Sequence, residues 1–184
     1  MSGSMHSDAC DVYLCCAPIQ NTGTASATML SYFASASRIA CGDSWAKHWL
    51  VIFDYGEDVV LVCDADMDHA GDLTGRKCWK KRTVLKETYS YKKHLGKRRV
   101  PKTHIEEVMK GMCDSGRYHV AYNNCQKWAK ELLRRLGIQA PSGERDAQAV
   151  LQEVVQPAAT VGLGSVVLYG AWRAAKFVFT RGLF

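Results

Sequence analysis

Apolar residues in the first half of this chain fall in short, strand-length runs, and in the second half they recur at helical spacing. Asp11-Val12-Tyr13-Leu14-Cys15-Cys16-Ala17 is a compact apolar run stopped by Pro18, which predicts an opening strand. Residues 21–44 are rich in Ser, Thr, Ala and Gly, with a short helix expected around 27–37. Two β-branched runs, 47–53 and 59–64, flank the turn Asp54-Tyr55-Gly56-Glu57-Asp58 and predict a hairpin. Residues 78–85 predict a further strand. Thr103 with Glu106 three positions on has the form of a capping box, so a helix is expected to open there and run to about Met112. A brief strand is expected over 118–122. A helix then starts at or just after Asn124: Trp128, Leu132, Leu133 and Leu136 share one face, Gly137 supplies the C-terminal cap, and Pro141 lies beyond. Together these elements predict an α+β fold, a small antiparallel sheet packed against helices.

The 184 residues suffice for one domain and an appendage. The expected organisation is a disordered N-terminus over 1–8, a globular domain over 9–141, a charged linker with a short helix over 142–156, and an apolar helical tail over 157–184. Val154 to Trp172 is nineteen residues without a charge, but Gln156, Pro157 and several glycines interrupt it. A spanning helix requires about twenty predominantly apolar residues. Arg173, Lys176 and Arg181 follow, interleaved with Trp172, Phe177, Phe179 and Phe184, which favours an interfacial membrane anchor over a span. A helix pair packed on the domain and a partner-binding segment are the alternatives. Met1-Ser2-Gly3-Ser4-Met5 is small and polar, so no secretory signal is expected and the protein is placed in the cytosol, peripheral on a membrane.

Charge changes this picture in one respect. The net +6 conceals a stretch, 76–102, with twelve basic residues against the single acid Glu87. Lys80, Lys81, Arg82, Lys97, Arg98 and Arg99 within it are the candidate contacts to an anionic membrane surface, the alternative being a merely solvated face. Nucleic acid is not expected as a partner. The eight cysteines are expected to be reduced, and Cys15 and Cys63 to be small buried hydrophobes. No Cys-x-x-Cys pair occurs, so no metal site is expected, and no cofactor.

The candidate chemistry is a thiol. Cys125 stands in Tyr122-Asn123-Asn124-Cys125-Gln126-Lys127-Trp128, where a polar segment turns into a helix. The free amides and dipole of a helix N-terminus favour negative charge, hence thiolate. Upstream, His48 opens the apolar strand pattern His48-Trp49-Leu50-Val51-Ile52-Phe53 and is the candidate general base. Hairpin register proposes a third residue. A three-residue loop between Asp54 and Asp58 sets Asp64 opposite His48 on the same face; a two-residue loop sets Ala65 there, with Cys63 diagonal. Asn124 and Gln126 are candidates to contribute an amide that stabilises an oxyanion or orients the site, and the Cys125 N–H is a natural oxyanion donor.

A strand-borne His48-Trp49, a hairpin, and Asn124-Cys125 at the head of a helix resemble the circularly permuted papain-like thiol enzymes. One branch, the PPPDE isopeptidases, is similar in its opening Val12-Tyr13, in Tyr118 and Tyr122-Asn123-Asn124-Cys125, and in the exit through Leu136-Gly137 to Pro141. The other, the lecithin retinol acyltransferase-like lipid enzymes, is similar in His48-Trp49, the hairpin, Asn124-Cys125 and the glycine-bearing apolar tail. The chain departs from both where Gln126-Lys127-Trp128 replaces an aromatic pair, and from the lipid branch where Asp64 must serve for a second-strand histidine. The resemblance implies an acyl-cysteine mechanism. The leading expectation is acyl transfer from lipid esters or amides at a membrane. An isopeptidase acting on protein, and a non-catalytic adaptor binding anionic surfaces, are the other two.

Overall fold

The computed structural model describes residues 8–17, 47–89, 91–113, 115–119 and 122–142, together with residue 148. The chain divides into two compact units, residues 1–18 with 47–144 and residues 19–46 with 145–184, and every element below belongs to the first. The expected helix at 27–37, the helix of the linker and the apolar tail lie outside the described residues. Among the described residues no helix is long and apolar enough to cross a membrane.

Five strands, β1 (Ala9–Ala17), β2 (His48–Asp54), β3 (Val59–Met67), β4 (Leu73–Lys81) and β5 (Tyr91–Arg99), form one sheet in the order β4-β3-β2-β1-β5. Every neighbouring pair is antiparallel. Three helices accompany them: α1 (Val84–Glu87), α2 (Lys102–Lys110) and α3 (Cys125–Arg135). The fold is therefore α+β, an antiparallel sheet with helices.

Strand alternation explains why β1 to β3 read as continuous apolar runs: these strands are buried on both faces. Val12, Leu14, Cys16, Trp49, Val51, Phe53, Leu61 and Cys63 share one core with Ile105 and Met109 of α2 and Trp128, Ala129, Leu132 and Leu133 of α3. Cys15, Leu50, Ile52, Val60 and Val62 form the other, with Leu85 of α1. Fully burying a side chain such as Phe53, Leu132 or Leu133 contributes roughly 1.5–3 kcal/mol, so the two apolar faces of the sheet dominate its stability.

Three expectations require correction. The fourth strand spans Leu73–Lys81 rather than 78–85, because the backbone N–H of Arg82 turns to the Asp58 carbonyl at 2.8 Å and its side chain to the buried Asp54 at 2.9 Å. The fifth strand, Tyr-Lys-Lys-His-Leu-Gly-Lys-Arg-Arg, has no apolar alternation to announce it. It pairs with β1 through a bulge opposite Val12 and Tyr13, where Gly96 takes φ 96°. Helix α2 is capped by Pro101 without a side-chain bond, so Thr103 lies inside it and Glu106 pairs instead with Lys77 across the gap to β4. Around 118–122 the described residues carry only isolated bridges, Asp72 to Arg117 and His119 to Asn123.

Candidate thiol site

Helix α3 begins where expected, and its start is built from the side chain before the cysteine. Asn124, in extended backbone, accepts the N–H groups of Gln126 and Lys127 on its side-chain oxygen, each at 3.0 Å. That satisfies two of the first-turn donors and leaves Cys125 as the first helical residue. Among the described residues the Cys125 N–H has no hydrogen-bond partner. The other end closes as a Schellman motif: Gly137, at φ 68°, donates to Arg134, and Ile138 donates to Leu133 at 2.8 Å. The helix is thus fixed at both ends, with Leu133 and Ile138 in the core.

His48 is the first residue of β2, and the Gln126 side chain donates to the carbonyl of Lys47 beside it at 3.3 Å. The start of α3 is therefore tied to the start of β2. The imidazole lies near enough to Cys125 for the thiol to favour its charged form. On its other side His48 Nε2 bonds Asp64 Oδ2 at 2.9 Å. Burial opposes the imidazolium, but the hydrogen bonds to Asp64 and Cys125 and their negative charges outweigh it, raising His48 to about 10. Asp64, despite burial, is held down at about 2 by its bonds to His48 and Arg76.

The register that produces this contact is neither of the two considered above. Leu50, not His48, stands opposite Asp64. Parity is preserved all the same, so His48 and Asp64 share a face as diagonal neighbours, a separation that long polar side chains span. The structure brings together Cys125, His48 and Asp64, with Asn124 and Gln126 holding the helix start. Both of those residues are buried, and the side chain of each bonds backbone.

The six basic candidates lie elsewhere. Lys80 and Lys81 end β4 with Arg82 just beyond, and Lys97, Arg98 and Arg99 end β5, on the opposite edge of the sheet. Strand directions put both groups at the end of the sheet that carries Ala9 and Asp54, whereas His48 is paired with Ala17 at the other end. Six residues of β2 separate those ends, about 20 Å at 3.3 Å per residue. Arg82 has a structural partner in Asp54; the other five make no ion pair with a described residue.

Two neighbours of the site were not foreseen. Arg76, counted in the sequence only as one base of twelve, pairs with both Asp64 and Asp66. Its signal was the β3–β4 register, hidden because β4 was expected to start at Cys78. Tyr118 is near enough to Cys125 and Asp66 to feel their charges, and burial, with those charges, pushes its phenol up. Burial raises the Cys10 thiol to about 11 and Cys15 to about 12, and pushes Cys63 up further. Searches of family models, of curated proteins and of solved structures find no match to this chain.

Proposed function

We propose that this protein is a thiol-dependent acyl-transfer enzyme of the permuted papain-like type, with Cys125 as nucleophile and His48 as its base. One observation carries the proposal: an imidazole that bonds a carboxylate at 2.9 Å lies near a helix-initial cysteine that favours its charged form. In the reaction, His48 already holds the thiol proton as imidazolium, and Cys125 Sγ attacks an ester or amide carbonyl carbon. The tetrahedral oxyanion forms beside the open Cys125 N–H. His48 returns the proton to the leaving oxygen or nitrogen, leaving an acyl-cysteine. It then deprotonates the water or amine that releases the acyl group. Asp64 orients the ring and stabilises its charged form.

Lipid esters and amides at a membrane surface remain the first substrate class, supported by the composition of 157–184 and by Lys80, Lys81, Lys97, Arg98 and Arg99. An isopeptide substrate is the second reading, favoured by one observation: the basic end of the sheet is about 20 Å from His48. A membrane bound there would not meet the thiol directly. Labelling the full chain with a lipid-like and a ubiquitin-like electrophile side by side separates the two. Either probe should attach to Cys125 alone, Cys125→Ser should abolish attachment, and His48→Ala should slow it by roughly 10²-fold or more. Equal labelling of several cysteines, with Cys125→Ser indistinguishable from wild type, sinks the thiol enzyme.

A further inference from the structure

Arg76 is held in a way that surface arginines seldom are. It stands directly opposite Asp64 in the β3–β4 register. Its fork grips both carboxylate oxygens, Nε on Oδ1 at 3.2 Å and a terminal nitrogen on Oδ2 at 2.8 Å. That Oδ2 is the atom bonded to His48. The remaining guanidinium nitrogen meets Asp66 Oδ2 at 3.0 Å, so the arginine is itself fixed.

The diagonal relation of Asp64 to His48 gives this arrangement a purpose. The carboxylate torsion of an aspartate is broad and roughly two-fold, so an unrestrained Asp64 would spend much of its time turned away from a ring it does not directly face. A bidentate guanidinium removes that freedom where a lysine's point charge would not. We infer that Arg76 is a positioning residue of the thiol site, setting the plane of the Asp64 carboxylate so that Oδ2 meets His48, with Asp66 anchoring Arg76 in turn. The inference rests on the thiol-enzyme reading of Cys125 and His48.

A positioning role and a plain charge effect have opposite signs at His48. Removing a nearby cation raises the midpoint of an imidazolium; losing the oriented carboxylate lowers it. The groups facing this cluster are Asp64 and Asp66 from β3, Cys125 from α3, Tyr118 before α3 and Tyr89 after α1. Both phenols stay neutral across the range of the test, since burial raises them.

The test is an NMR titration of histidine-labelled full-length protein, with Cys125 alkylation by iodoacetamide measured in parallel. Arg76→Gln and Arg76→Lys should each lower the His48 midpoint by about one unit and slow alkylation several-fold, since one unit is a tenfold change in the protonation equilibrium. In an Asp64→Asn background, Arg76→Gln should no longer lower the midpoint or slow alkylation, because the loss passes through Asp64. The Arg76 side chain is about half exposed, at 52%, so these variants should fold, and Arg76→Lys supplies an arm that keeps the charge. A His48 midpoint that stays or rises in Arg76→Gln, or a downward shift that persists without Asp64, overturns the inference. Failure of the underlying reading looks different: wild-type Cys125 would alkylate no faster than Cys125 in His48→Ala, and the positioning role would fall with it.

Discussion

His48 is held by two partners that act on its charge in the same direction, and this couples the site to stability. Its folded value is raised to about 10, so the stabilisation from its charged form is complete below the ordinary imidazole value of about 6.5 and is lost as pH rises towards 10. Asp64 is depressed to about 2, so its contribution is complete above about 4 and is lost as pH falls towards 2. Both are therefore intact between about pH 4 and 6.5. The stability difference between wild type and His48→Ala should be largest in that window and shrink steadily to pH 10. Denaturant melts at pH 5, 7 and 9 measure it. A difference that grows towards pH 9 would show that the imidazole is neutral in the folded protein.

At the scale of elements, the site depends on how closely α3 approaches β4. Trp128, one turn into the helix, lies on Gly75, which pairs with Ala65 in β3. A Cβ at Gly75 would come within 2.7 Å of the indole, nearer than atoms tolerate. Two small residues side by side make the seat for the helix, and the seat sets where Cys125 meets His48. Gly75→Ala should cost about 1–3 kcal/mol by overpacking and slow Cys125 alkylation by displacing the helix start. Denaturant unfolding and alkylation rates check this together; unchanged rates would mean that α3 keeps its place without the seat. The cap is a second lever. Asn124→Ala should cost about 1 kcal/mol, through the two donors it leaves unsatisfied in a buried turn. Gln126→Ala should loosen only the tie to Lys47.

For the whole molecule, the sheet separates charge from chemistry. Lys80, Lys81, Lys97, Arg98 and Arg99, without an ion pair among the described residues, lie at one end of the strands, and the thiol, imidazole and carboxylate lie at the other. The Debye length is about 8 Å at physiological salt, so charges about 20 Å away are largely screened from the thiol. Reversing Lys97, Arg98 and Arg99 to glutamate should weaken attachment to anionic vesicles at low salt while leaving Cys125 alkylation by a small soluble reagent within about two-fold. Vesicle sedimentation and thiol kinetics measure the two halves. A parallel loss of both would show that the basic end and the thiol act as one surface.

What the sequence determined by itself was much of what local periodicity and capping govern, although the capping box at Thr103 did not form and the described residues around 118–122 carry only isolated bridges. The apolar runs of β1, β2 and β3, the Asn124 cap with Cys125 just inside the helix, and the exit at Gly137 need no knowledge of distant residues, because each is set by neighbours within a few positions. Cys125 and His48 could be named for the same reason, whereas Asp64 came from hairpin parity, which held although the register did not. The tertiary structure alone decided the rest. Strand β5 is mostly basic, and only its pairing with β1 reveals it. The register of β2 on β3 sets Leu50 opposite Asp64, which makes Asp64 a diagonal rather than a facing partner of His48. Arg76 emerged from a run of charges only once β4 was aligned on β3, since backbone pairing places side chains from distant parts of the chain about 5 Å apart, and composition carries no trace of that alignment.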